Sequence, residues 1–427
     1  MNILILTGRF GMGHIKAAGA IAEQLRQTAD DVRVDTVDFM EFLFPTLSSG
    51  IYKGFQLLVS RCSGLYNDLN RIAGRYGDVP MKNALLRKID RLLALYQPDL
   101  IIATLPICGQ YLSAYKARRC CRIPLYTYIT DITVHEEWLS SGTDLYFVGD
   151  ESTRNALLSR GIPSDKILVT GIPVSQAFHR AGVLKAETAA KADGAERSKG
   201  EETAYKVGTQ SVEKKHLLVM GGGLGLIPGG LRLLRDLSRS PFLSITLIAG
   251  SNQKLAEQVR AACPAVRTLG YTDQVARYMQ QTDLLITKPG GITTFEAIAS
   301  RTPLYVVCPF LEQEKGNAHF IENAGIGRVL WDNSSSDVGA DLLSLLFDSH
   351  RLTAMRANME RLSASFLPVN PLDCYLAQTQ NRPSAERRPP AEGGPRLEGG
   401  SRLEGGPRLE GGPRLEGHST RPEVCPC

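Results

Sequence analysis

Short apolar runs alternate with amphipathic stretches along most of the chain. Residues 2–7, 32–39, 98–104, 125–130, 144–148 and 167–170 read as strands, and a second set falls at 217–220, 243–249, 284–287, 304–308 and 328–331. Runs this short and this continuously apolar suit strands covered on both faces. Helical patterns lie between them, from His14 through Ala29 and then at 83–96, 110–118, 149–160, 252–262, 319–324 and 342–366. Strands alternating with helices predict an α/β chain with open, mostly parallel sheets rather than an all-β fold. A chain of 427 residues has room for two such domains, each with its own core.

Two stretches break the pattern. Residues 185–215 are rich in lysine, glutamate and alanine with little to bury, and read as a solvated helix or a mobile insert. From about residue 380 the chain turns to low complexity, with RLEG beginning at Arg396, Arg402, Arg408 and Arg414. Glycine or proline in nearly every unit opposes helix and sheet, and one leucine per unit supplies no core. The expected organisation is a first α/β domain over 1–175, a charged linker or insertion over 185–215, locally disordered, and a second α/β domain over 216–345. Terminal helices follow over 346–377, then a disordered, nearly charge-balanced tail over 380–427.

Composition narrows the function by exclusion. The formal net charge of +5 comes without an arginine-rich face or an aromatic-basic repeat, which argues against nucleic acid. Nine cysteines are scattered, and neither Cys120-Cys121 nor Cys425-x-Cys427 makes a four-ligand set, so thiols in a reducing cytoplasm are expected. The amino terminus is too quickly broken by glycine and arginine for a signal peptide. No 18-residue apolar run predicts a membrane-spanning helix, which leaves attachment to a membrane surface open. Across residues 53–91 eight basic residues stand against three acidic ones, next to Phe39, Phe42, Phe44, Tyr52 and Phe55. That mixture suits the surface of an anionic bilayer. Core aromatics under a solvated basic face would give the same pattern.

The chemically specific stretch is 286–317, ITKPGGITTFEAIASRTPLYVVCPFLEQEKGN. Gly290 and Gly291 let the backbone approach a ligand closely. A helix opening at Ile292, Thr293 and Thr294 leaves unpaired N–H groups and a positive dipole end for a phosphate. Glu296, one turn later, is placed to accept bonds from sugar hydroxyls, and Gln313, Glu314 and Asn317 bring further hydroxyl-binding groups from the next loop. An ordinary β-turn-α unit with a capped helix reads the same way. The glycine run at 221–225, with Gly221 and Gly223, either closes over a diphosphate or makes a tight turn. His14 lies outside the carboxyl end of the first strand, where such sheets bind ligands, although GRFGMGH lacks the dinucleotide spacing. A histidine there is equally a capping or packing residue. Asp131 and His135 are four apart and would share a face in a helical turn. With no clear third ligand they make a poor metal site, so no metal is expected.

KPGG-I-T-T-x-E-A, the later P-x-x-x-QEKGN and the amino-terminal GxGH followed by AA resemble one family closely. It is the monogalactosyldiacylglycerol synthase and processive diacylglycerol glucosyltransferase family, whose nucleotide-sugar half is similar to the peptidoglycan N-acetylglucosaminyltransferase. The resemblance spans most of residues 1–375. It implies a GT-B fold, two Rossmann-like lobes facing across a cleft, with terminal helices returning to brace the first lobe. It also implies a UDP-sugar as donor substrate and no cofactor. Gly290, Gly291 and Thr293 would meet the phosphates and Glu296 the ribose. Gln313, Glu314 and Asn317 would face sugar or ribose hydroxyls, and backbone near Tyr271 the base. In the acceptor lobe His14 would serve as base or position the acceptor hydroxyl, with Asp131 and His135 shaping the site and Trp138 beside them. Glu136 stands where the family often has proline, which loosens the reading of that local backbone.

The reaction so implied is inverting transfer of a hexose, glucose favoured over galactose, from a UDP-sugar to the hydroxyl of diacylglycerol. The protein would be peripheral, on an anionic surface at the cytoplasmic face of the membrane. Transfer to another lipid or polyprenyl-linked acceptor is the first alternative, and a catalytically silent membrane-associated UDP-sugar sensor the second. Nucleotide-sugar hydrolysis or epimerisation is less favoured, given QEKGN together with a basic, aromatic acceptor lobe. No feature predicts an oligomeric state.

Overall fold

The computed structural model describes residues 1–61, 83–194, 204–207, 210–221, 230–307, 309, 312–331 and 338–380. Its first half is a sheet of six parallel strands: β1 (Asn2–Thr7), β2 (Arg33–Asp38), β3 (Leu100–Ala103), β4 (Leu125–Tyr128), β5 (Leu145–Val148) and β6 (Ile167–Val169), in the order β2-β1-β3-β4-β5-β6. In this register Ile5 pairs with Thr36 on one side and Ile102 on the other. Every residue of β3, β4 and β5 is buried, as expected of strands with helices on both faces. Those helices are α1 (Met12–Thr28), α2 (Phe39–Leu43), α3 (Ser48–Arg61), α4 (Asn83–Tyr96), α5 (Pro106–Arg119) and α6 (Glu151–Leu158). Helix α1 buries Ala17, Ala18, Ala20 and Ala22, small side chains that let its backbone lie close to the sheet. Helix α4 buries Leu86, Ile89 and Leu92 at three-residue spacing, the stripe of an amphipathic helix.

The aromatics after β2 are largely core. Phe39, Leu43 and Tyr52 are buried, with Phe42 and Phe44 packed against the same cluster. The Tyr52 hydroxyl donates to Asp38 Oδ1 at 2.5 Å, while Asp38 also caps α2 by accepting from the Glu41 N–H. For these side chains the bilayer-facing expectation is corrected, because burial against the sheet already satisfies them. Residues 62–82, the rest of the basic stretch, lie outside the described residues.

Helix α7 (Gln176–Gly194) carries the chain to the second half, followed by an antiparallel hairpin, β7 (Ala204–Val207) and β8 (Gln210–Glu213). The expected disorder over 185–215 is thereby corrected at its start. Lys185 is half-buried, and its ammonium donates to the carbonyls of Met279 and Thr282 and to Thr302 Oγ1 at 2.7–2.8 Å. Burial pushes its pKa down to about 7, Arg356 adds to the fall and Asp283 opposes it.

The second sheet is again six parallel strands: β9 (Lys215–Met220), β10 (Leu243–Ile248), β11 (Arg267–Leu269), β12 (Leu284–Thr287), β13 (Leu304–Val307) and β14 (Gly327–Leu330), ordered β11-β10-β9-β12-β13-β14. Its helices are α8 (Gly230–Leu237), α9 (Gln253–Ala262), α10 (Val275–Gln280), α11 (Gly291–Ala299), α12 (Glu312–Asn323) and α13 (Val338–Leu346). QEKGN belongs to the opening turns of α12, not to a loop as its glycine suggests. Helices α14 (Ser349–Ser365) and α15 (Pro371–Gln380) end the described chain and return to the first half. The Leu367 N–H donates to the Val169 carbonyl at 2.8 Å and Tyr126 Oη to Gln378 Oε1 at 2.8 Å. Phe295 of α11 stacks on Phe320 and on Phe366, with ring centroids 6.1 and 5.6 Å apart. Each such pair adds about 0.5–1.5 kcal/mol beyond area burial. One apolar cluster runs through both halves, joining Ala17, Ile132 and Ile172 to Ile292, Phe295 and Ile298. No helix among the described residues is long and apolar enough to cross a membrane. The repeats beyond residue 380 lie outside the described residues.

Candidate active site

The carboxyl ends of β1, β3 and β4 converge on His14. Gly11, at φ 101°, turns the chain into α1, a left-handed conformation that glycine adopts without a side-chain clash. His14 then sits on the first turn. Its Nδ1 stands 2.8 Å from the Thr104 carbonyl and 2.8 Å from Thr130 Oγ1. A carbonyl only accepts, so Nδ1 carries the proton, the Thr130 oxygen shares it, and Nε2 is left with the lone pair. Burial lowers the His14 pKa below the ordinary histidine value, while the Asp131 charge and the Thr104 hydrogen bond act against the fall. Asp131 is held in turn by the Trp138 indole, which donates to Oδ2 at 3.1 Å. The Trp138 ring lies 6.1 Å from the His14 ring. A half-buried neutral imidazole with a fixed tautomer and a nearby carboxylate is the arrangement of a general base.

From the other half, β12 ends in Lys288-Pro289-Gly290, and α11 begins at Gly291. Among the described residues no side chain caps the helix at Gly290, and N–H groups at such a helix start can meet an anion. Two residues of α12 brace the turn. Glu314 pairs with Lys288 at 2.5 Å, and Asn317 Nδ2 donates to the Pro289 carbonyl at 2.7 Å. Asn317 Oδ1 is buried without a hydrogen-bond partner among the described residues. A Cβ on Gly291 would stand 2.5 Å from the Thr130 carbonyl oxygen, so glycine is required for this helix end to abut the loop carrying Asp131.

The two sets of residues line one cleft of about 260 Å³. His14, Asp131, Tyr271, Gly290, Gly291 and Thr293 are among its walls, and Tyr271 is 61% exposed. Gly221 is buried one residue beyond Met220, itself a wall residue. Glu296 lies behind the wall, 2% exposed, paired with Lys16 at 2.8 Å. Burial raises the Glu296 pKa and Lys16 opposes that rise. His135 does not line the cleft. It precedes a 3-10 turn, Glu136–Trp138, and the backbone before it is not helical, so Asp131 and His135 do not share a helical face. Gln313 is placed on the first turn of α12, with its side chain outside the described residues, as is Gly223 altogether. Sequence reasoning missed Lys16, Thr104 and Thr130. The two threonines directly follow strands, and that position was the available signal. Lys16 gave none. Among the described residues no group of three or more His, Cys, Asp or Glu is arranged to hold a metal ion.

A family model for monogalactosyldiacylglycerol (MGDG) synthase matches residues 14–174, and one for the glycosyltransferase family 28 C-terminal domain matches residues 218–366. A protein of Bacillus mycoides (strain KBAB4), named processive diacylglycerol beta-glucosyltransferase, is 27% identical over 90% of this chain and 95% of its own length. A second of that name, from Bacillus pumilus (strain SAFR-032), is 28% identical over 84% and 91%. Both halves of the chain thus resemble the monogalactosyldiacylglycerol synthase and processive diacylglycerol glucosyltransferase family. Among solved structures, Acinetobacter baumannii MurG aligns at TM-score 0.54 and 16% identity over 89% of this chain and 100% of its own. At that identity the likeness shows the two-lobed GT-B fold alone. The first matched segment opens at His14 and contributes Thr130 and Asp131, while the second supplies the turn and helix end at Gly290 and Gly291. The glycosyltransferase cleft is the seam between them.

Proposed function

We propose that the protein transfers a hexose, glucose in preference to galactose, from a UDP-sugar to the hydroxyl of diacylglycerol, with inversion at the anomeric carbon. The observation that carries this reading is the meeting in one cleft of a helix end and a half-buried, neutral histidine. The donor's diphosphate sits at the start of α11, where backbone N–H groups meet its charge. Its ribose faces Glu296, and Asn317 Oδ1 and Glu314 are the nearby acceptors for sugar hydroxyls. The acceptor hydroxyl loses its proton to His14 Nε2 as its oxygen attacks the anomeric carbon. The bond from that carbon to the phosphate oxygen breaks, UDP departs with the electron pair, and the new bond forms on the opposite face. Asp131 stabilises the imidazolium so formed. The scheme uses no cofactor, since the activated sugar carries its own leaving group. Glucose is favoured because the two Bacillus relatives are named for it. A diacylglycerol acceptor places the protein on an anionic membrane surface, at the cytoplasmic face, as a peripheral protein.

The test is mass spectrometry of lipids recovered from anionic vesicles containing diacylglycerol, after incubation with UDP-glucose or UDP-galactose. Glucosyl-diacylglycerol from UDP-glucose is expected, with slower or no product from UDP-galactose. UDP release or binding without any glycolipid would overturn the diacylglycerol assignment.

A further inference from the structure

Lys16, the partner of Glu296, has no role in the reaction as described. Lys16 lies on α1, two residues beyond His14, and Glu296 on α11, so their 2.8 Å bridge joins the two halves. Glu296 is 2% exposed and its Oε2 is buried with no hydrogen-bond partner among the described residues. Lys16 keeps 34% exposure and lines the cleft beside Gly290, Gly291 and Thr293. Among the described lining residues it is the one lysine or arginine, and the glycine-rich stretch 222–229 contains neither residue type. A carboxylate this deeply buried is costly without a counter-charge, and the Lys16 ammonium supplies one.

We propose that Lys16 is a diphosphate-binding residue lent by the acceptor half to the donor site, and that UDP-sugar binding moves its ammonium from Glu296 Oε1 to the pyrophosphate oxygens. The inference rests on the donor reading above. Each partner stays satisfied in the exchange. The ammonium gives up one carboxylate for phosphate oxygens of higher charge, and both Glu296 oxygens, including the unpartnered Oε2, become acceptors for ribose hydroxyls. The flexible four-carbon stem of lysine permits this swing without backbone movement. Because Lys16 and His14 share one turn of α1, a bound donor also anchors the helix that carries the base.

The experiment compares affinities for UDP, by calorimetry, and for uridine, by displacement of UDP. It uses the whole chain as wild type, Lys16→Gln, Lys16→Arg and the double variant Lys16→Gln/Glu296→Gln, with each variant's fold checked by thermal unfolding. Lys16→Gln is expected to cut the preference for UDP over uridine about tenfold or more, the worth of one charge-assisted contact. Lys16→Arg should keep most of it. The double variant leaves no buried charge unpaired and still shows the loss, since Glu296 affects both ligands alike. Recovery of the preference in the double variant, or no change in Lys16→Gln, would mean that Lys16 only neutralises Glu296, and would overturn the proposal. Wild type that binds neither UDP nor uridine would overturn the donor reading itself, and the proposal with it.

Discussion

The first half of the molecule brings an imidazole to the cleft and the second brings the backbone of a helix end. In the first sheet β1 lies between β2 and β3, and the loops beyond β1, β3 and β4 bring together His14, Thr104, Thr130 and Asp131. In the second, β9 lies between β10 and β12, and the loop beyond β12 presents two glycines and a helix end with no capping side chain among the described residues. The tasks differ in the same way. A proton must be taken at one atom of tuned basicity, which calls for an imidazole in a chosen tautomer. A diphosphate spreads its charge over several oxygens and is met by several N–H groups at once. Similar sheets thus host unlike sites because the loops at the strand ends, and not the strands, carry the chemistry.

Three substitutions test that division. The largest effect is expected from His14→Ala, which should lower kcat for glycosyl transfer by about 10²–10⁴ while calorimetric UDP affinity stays near wild type. A full rate at saturating substrate would move the base elsewhere. Gly291→Ala probes the backbone half, because its methyl would meet the Thr130 carbonyl oxygen at 2.5 Å and push the helix end off the opposing loop. Steady-state kinetics should show kcat/KM for the donor down by roughly ten- to a hundredfold, with the far-ultraviolet spectrum unchanged. A silent substitution would show that the close approach is dispensable. The smallest effect belongs to Asp131→Asn. His14 is active when neutral, so kcat/KM falls on the acid side as pH drops through its burial-lowered pKa. Asp131 holds that pKa up, and removing its charge lets it fall further, so the acid limb of the pH–rate profile should move to lower pH. The rate at neutral pH should drop by less than about tenfold. A limb that stays put or moves upward would show that His14 is not the titrating group.

Much of the architecture was legible in local pattern. The continuous apolar runs of β3, β4, β5, β12 and β13 mark strands covered on both faces, and Pro289-Gly290-Gly291 marks a turn into a helix. His14 and Asp131 were found because they follow strands. Where the reading failed, a remote partner had changed a residue's local meaning. Lys185 reads as a solvated charge, yet its three acceptors come from Met279, Thr282 and Thr302, 94 to 117 positions away. Gly316 reads as a loop residue, yet it is tolerated inside α12 where the Thr133 side chain presses so close that a Cβ there would clash. The Phe39 and Tyr52 rings suited a bilayer as well as a core until the sheet covered them.

By itself the sequence determined the two parallel sheets, the glycine turn before α11 and the family that the chain resembles, because strand burial and turn chemistry act between near neighbours along the chain. Only the tertiary structure decided that Thr104 and Thr130 set the His14 tautomer and that Lys16 reaches Glu296, 280 positions on. Hydrogen bonds and ion pairs depend on distance through space, and it is the packing of one half against the other that brings such residues within reach.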